Sequence, residues 1–207
     1  MEGRPFRFIA AWLSILAGFP ISQALFPDLA QAACTVAGTP PTWTCSGTTN
    51  LGTTPLGNGP NGPDNATVTV VSGASVAAGN ASAISLRDGA VITVQSGGSI
   101  TSSGASGGSN GLWGAGKNTI EFRSHGTLTV GEGAAIRAIG TSTNAEAVNL
   151  IGEGNTVINH GTISAINTAA IWFEDQVIGD PNTIDNYGIV QRGNGSEQSV
   201  TANSIGS

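Results

Sequence analysis

Cationic side chains are scarce in this 207-residue chain: seven Lys plus Arg stand against thirteen Asp plus Glu, for a net charge of −6. Lys117 is the lone lysine. Nucleic acid and anionic lipid head groups both need a cationic footprint, so neither is an expected partner. Charged residues make up only 10% of the chain and aromatics only 5%, so neither charge networks nor a large aromatic core can organise it. With two cysteines it is no disulfide-dense scaffold, and Cys34 and Cys45, with no histidine near them, do not make a zinc sphere. Metals and cofactors are therefore not expected. The two histidines, His125 and His160, lack any Gly-x-Ser-x-Gly setting that would place a nucleophile beside them. Beyond residue 32 no apolar run is long enough to span a bilayer as a helix. No series of alternating ten-residue segments with aromatic girdles marks a membrane barrel within these residues either. A sustained 3.6-residue apolar rhythm is also missing.

What remains is Gly, Ser, Thr, Asn and Ala, with Val, Ile and Leu at regular intervals. The first 32 residues differ from the rest. Arg4 and Arg7 precede an apolar stretch from Phe8 to Phe19, Pro20 interrupts it, and Ala30-Gln31-Ala32 supplies small residues at a cleavage site. This reads as a secretory signal peptide, residues 1–32, cut after Ala32. The alternative, an uncleaved anchor, lacks a basic stop-transfer flank. In an exported chain an even cysteine count argues for a Cys34–Cys45 disulfide, closing a short loop at a gain of about 2–3 kcal/mol.

Self-similarity organises the remainder. Thr69-Val70-Val71-Ser72-Gly73-Ala74-Ser75-Val76 returns at Thr93–Ile100 and again at Thr129–Ile136, at steps of 24 and 36 residues. A second phrase, Asn155-Thr156-Val157-Ile158-Asn159-His160-Gly161-Thr162-Ile163, returns at Asn182–Val190, and Asn118–Leu128 reads as a looser copy. Short strands punctuated by Gly and Asn, repeating every few tens of residues, predict a parallel β-solenoid. Residues 33–64, rich in Pro and Gly, read as an N-terminal cap and loop, and residues 65–207 as coils. The Asn residues at the strand ends are expected to turn corners and to stack in ladders. His125, His160 and Tyr187 each precede a Gly and read as one structural slot. Thr101–Asn118 and Glu174–Asp180 read as loops projecting from the stack.

Candidate functional residues are few. Trp113 and Trp172 are packing residues or, where exposed, platforms for sugar rings or anchors for a partner. Glu174 and Asp175, with Asp185 nearby, supply the carboxylates that a polysaccharide lyase or hydrolase would need. Neighbours in a strand point to opposite faces, which weakens Glu174 and Asp175 as a catalytic pair.

The signal peptide, Ala33-Cys34-Thr35, Trp43-Thr44-Cys45-Ser46-Gly47 and the Asn-x-Gly-x-Ile strand phrases together resemble the N-terminal passenger region of bacterial autotransporters. The resemblance spans residues 33–207 and lies in the combination rather than in any one motif. It implies an all-β, right-handed parallel β-helix with a disulfide-closed N-terminal cap. It also implies export to the cell surface or medium, and a non-enzymatic, adhesin-like role toward host-cell or neighbouring-cell surface molecules. Members of that family cross the outer membrane through a C-terminal barrel. The chain as read carries none, so a severed passenger, a piece of a longer frame and a remnant without its own function stand as readings beside a free-standing solenoid.

Overall fold

The computed structural model describes residues 33–104, 118–141, 145–174, 179–193 and 200–202. Residues 1–32, expected to be a signal peptide, and Trp113 and Asp175 lie outside them. Among the described residues the chain is all β, with no α-helix and a single 3-10 turn at Gly59–Asn61. The repeated phrases do build a parallel solenoid, and it winds through three sheets about five times.

Sheet A takes β1 (Ala33–Ala37), β2 (Thr42–Ser46), β4 (Thr67–Val70), β7 (Val91–Val94), β10 (Thr127–Val130), β13 (Thr156–Asn159) and β16 (Thr183–Asn186) in that order. Sheet B runs from β3 (Thr48–Asn50) through β5 (Ser75–Ala78), β8 (Ser99–Ser102), β11 (Ala135–Ala138) and β14 (Thr162–Ala165) to β17 (Ile189–Arg192). Sheet C stacks β6 (Ile84–Ser85), β9 (Ile120–Phe122), β12 (Val148–Ile151), β15 (Ile171–Glu174) and β18 (Val200–Ala202). Every pairing is parallel except the first, where β1 folds back antiparallel on β2 and places Cys34 opposite Cys45. The two are joined by the expected disulfide. β1 thus occupies the free edge of sheet A at the N-terminal end, where an unpaired strand would otherwise invite association.

Strand alternation explains the core. In β4, β5, β8, β10, β13 and β14 half-buried and fully buried residues alternate, and the buried ones point inward. Because neighbouring coils pair without a shift, inward residues form rows. One runs Trp43, Val68, Ile92, Leu128, Val157, Ile184. Another runs Thr49, Val76, Ile100, Ile136, Ile163, Val190. Each fully buried aliphatic contributes about 1.5–3 kcal/mol. Few aromatics are needed, because each row repeats one small apolar volume.

The two phrases prove to be two ways of turning the corner from sheet A to sheet B. In the first, four residues (131–134 in one coil) bridge the strands, and Gly73, Gly97 and Gly133 hold φ near +70°. A Cβ there would meet nothing closer than an ordinary van der Waals contact, so glycine is required by its left-handed backbone rather than by crowding. In the second, only two residues (160–161) bridge the strands. The inward row that reads Cys45, Val70, Val94, Val130 then switches to Asn159 and Asn186. The Asn159 Oδ1 accepts the Gly161 N–H at 3.1 Å, and its Nδ2 donates to Asn186 Oδ1 at 2.7 Å and to the Ile189 carbonyl at 3.2 Å. The expected asparagine ladder is present here. It recurs at the start of sheet A, where Asn182 Oδ1 accepts the Asn155 N–H and Asn155 Oδ1 accepts the Gly126 N–H, both at 2.8 Å.

One expectation is corrected. His160 and Tyr187 share a slot at the corner between sheets A and B, and their rings stack at 4.8 Å. His125 occupies a different corner, between sheets C and A, with φ of 58° and Nε2 3.3 Å from Asp180 Oδ2. The looser copy at Asn118–Leu128 was therefore out of frame, since Ile120 lies in sheet C while Val157 lies in sheet A. Short Asn-Thr-Ile runs suit a strand start in any sheet, so local pattern does not tell the sheets apart.

Replacing Leu128 with Ala should cost about 2–5 kcal/mol, because a wholly buried row would be left with a cavity. Asn159→Ala should cost about 1–3 kcal/mol by orphaning the Gly161 N–H. Urea unfolding of both variants checks these values; losses within experimental error would refute the row and ladder assignments.

Candidate functional site on the outer face of sheet C

Sheet C departs from the pattern of the other two. Ile84, Ile120, Val148 and Ile171 form one inward row, and Phe122, Leu150 and Phe173 form another. Ser85, Glu121, Asn149 and Trp172 lie between them in a register row that points outward. Outward residues of a solenoid should meet water. Ser85, Glu121 and Asn149 are instead 0–1% exposed, and Trp172 is half-buried.

Polar groups from flanking segments close over this row. Ser85 Oγ donates to Glu121 Oε1 at 2.5 Å, and Asn118 Nδ2 reaches Glu121 Oε2 at 3.4 Å. Asn118 Oδ1 accepts the Glu146 N–H at 3.0 Å, and Thr168 Oγ1 donates to Glu146 Oε1 at 2.8 Å. One rung on, Asn149 Nδ2 donates to Glu174 Oε2 at 2.7 Å, while the buried Asn149 Oδ1 has no partner among the described residues. Burial pushes the Glu146 carboxyl above its ordinary pKa. The Thr168 hydroxyl and Glu146's own N–H pull it down, and the Glu174 carboxylate adds a further upward push.

These positions revise the candidate residues. Glu174 is not part of a projecting loop: it ends β15, half-buried, on the same face as Trp172 two residues earlier. Asp185 is exposed on the outer face of sheet A, so it does not join Glu174. Trp113 and Asp175 fall outside the described residues. Sequence reasoning missed Ser85, Glu121, Glu146 and Asn149. The only signal was an acid isolated among apolar or small neighbours, as in Ile120-Glu121-Phe122 and Ala145-Glu146-Ala147.

Chemically the face is closed. Glu121 and Glu146 are 1% and 6% exposed and already hydrogen-bonded, so a polysaccharide strand cannot reach either as acid or base. Glu174 alone of the three is partly open to solvent. Among the described residues no group of three or more His, Cys, Asp or Glu comes together as a metal site.

The raised Glu146 pKa has a stability consequence. Below the unfolded pKa both states hold the proton, and the burial costs nothing. As pH rises from the unfolded value to the higher folded one, stability is progressively lost, and above the folded value the full penalty of the buried acid stands. Glu146→Gln keeps an oxygen for Thr168 and should raise the unfolding midpoint at neutral pH. That gain should shrink as pH falls through the raised folded value and be gone below about 4. Melting curves at several pH values check this; a pH-independent or negative effect would refute it. Comparison of the chain with protein-family models, curated proteins and solved structures finds no match.

Proposed function

We propose that this chain is an exported, non-enzymatic β-solenoid of the autotransporter-passenger kind, right-handed, acting at the cell surface or in the medium. It presents loops and outer faces on a stiff rod to molecules of a host or neighbouring cell. The observation that carries the reading is the N-terminal end of the rod. A strand only five residues long is pinned by a disulfide over the first rung, directly behind a sequence with the features of a cleaved leader. Disulfides persist in oxidising compartments, which supports a protein that leaves the cytosol. Parallel strands joined by crossovers favour the right-handed sense. A carbohydrate-cleaving role draws less support, because two of the three carboxylates near Trp172 are sealed.

The test is expression of the full chain in a Gram-negative host, followed by fractionation, intact-mass measurement and thiol alkylation. The expected product begins at Ala33, lies outside the cytoplasm and resists alkylation until reduced. A chain that keeps residues 1–32 and remains in the cytoplasm with reactive thiols would overturn the reading. A Cys45→Ser variant should also lose about 2–3 kcal/mol of stability by unfolding measurements.

A further inference from the structure

The outer face of sheet A carries a two-dimensional array of threonines. Its first rank is Thr42, Thr67, Val91, Thr127, Thr156, Thr183, and its second is Thr44, Thr69, Thr93, Thr129, Ile158, Asp185. Nine of these twelve positions are threonine, and Val91 is its isostere. High β-propensity alone does not account for this. The twelve equivalent outward positions of sheet B hold only Thr48, Thr101 and Thr162, mixed with Ser, Ala, Asn, Gln, Arg and Ile. The first four rungs of sheet A carry no charge and no outward aromatic, since Trp43 packs against the core. Among the described residues, threonine hydroxyls bonded within the protein are those of Thr35, Thr119 and Thr168; none of the nine is.

Geometry sets the repeats. Rungs of a parallel sheet lie about 4.8 Å apart, and residues two apart along a strand about 6.6 Å. Each threonine offers one hydroxyl to bond water and one methyl that orders water around it. A rigid grid of this kind matches a lattice rather than a flexible chain. The missing aromatics remove the stacking platforms a sugar polymer uses, and the missing charges remove the contacts an ionic mineral needs. The oxygen repeats on a prism face of hexagonal ice lie close to the rung spacing and somewhat above the two-residue spacing.

We propose that the outer face of sheet A is an ice-binding surface, centred on Thr67, Thr69, Thr93, Thr127 and Thr129. Water ordered on the hydroxyl–methyl grid joins the growing lattice, and the attached rod stops growth at that point. This inference does not depend on the export reading.

The experiment freezes a dilute solution of the folded full chain slowly onto a cold probe and measures the fraction taken into the ice, with recrystallisation rate as a second readout. The wild-type chain should enter the ice and slow recrystallisation. Thr69→Lys and Thr129→Lys, each burying an ammonium against the lattice, should lower uptake by about tenfold or more. Ser75→Lys and Ser164→Lys, on the outer face of sheet B, should leave it unchanged. Circular dichroism monitors folding. Should the sheet A lysines unfold the chain, the pair Thr93→Ser and Thr129→Ser decides instead: it keeps both hydroxyls, removes both methyls and should also reduce uptake. Exclusion of the wild-type chain from ice, as for an inert soluble protein, would overturn the proposal. So would uptake insensitive to the folded sheet A variants, or lowered equally by the sheet B lysines.

Discussion

The parallel backbone ladder between coils, paired without a shift in register, is the constraint on which everything else in this protein rests. Val91 N–H donates to the Ala66 carbonyl, Thr127 N–H to Ala90, Thr156 N–H to Gly126 and Thr183 N–H to Asn155, at 2.7 to 2.9 Å. Once those bonds are made, each side chain sits over the residue at the same place in the coil before it. A one-residue slip would exchange the inner and outer faces of a whole strand. The rows of Val, Ile and Leu, the asparagine ladders, the His160–Tyr187 stack and the threonine ranks are therefore one phenomenon. Each is a side chain repeated because its backbone address repeats.

That constraint binds at the strands and relaxes most at one corner. The connection from sheet A to sheet B stays at two to four residues in every coil from β4 onward. The connection from sheet B to sheet C takes five residues after β5 but seventeen after β8, which makes coils of 24 to 36 residues. Insertions at a surface corner cost little closure entropy. The short A-to-B corner has no such freedom. At Gly161 and Gly188 a Cβ would run into carbonyl oxygens of the preceding coil, Ala134 in one case and Gly161 in the other. Asn159 shows what a two-residue corner requires in exchange: a buried amide that satisfies the backbone N–H the shorter turn leaves over.

This division explains what could be read in advance. The Thr-Val phrases revealed sheets A and B, because strand, turn glycine and next strand are contiguous there and recur nearly unchanged. Thr69, Thr93 and Thr129 do align in one rank, and Cys34 and Cys45 do meet. Sheet C has no phrase of its own. Its strands follow connections of unequal length, so the facing of Ser85, Glu121, Asn149 and Trp172 could be known only once the coils were stacked. Unequal coil lengths likewise hide from the local pattern that His125 turns a different corner and that Glu174 ends a strand. The threonine alternation was plain in each strand, but alternation in one strand signals only a half-buried face. It becomes a lattice when six strands are brought into register.

The polar network on sheet C then has a physical reason to exist where it does. A sheet whose strands arrive after connections of unequal length has no help from its turns in choosing a register. Its inward residues, Ile120 against Val148 and Phe122 against Leu150, are interchangeable enough to tolerate a slip. The hydrogen bonds from Ser85 to Glu121, Thr168 to Glu146 and Asn149 to Glu174 are not, because a shifted strand would leave buried carboxylates without donors. Burying acids is unfavourable, as the raised Glu146 pKa records. The return is discrimination: every wrong register costs more than the right one. Sheet A carries its polar devices, the asparagine ladders, at its strand ends and inward positions. Its outer face is consequently free to be uniform, and uniformity is what a lattice-matching surface requires.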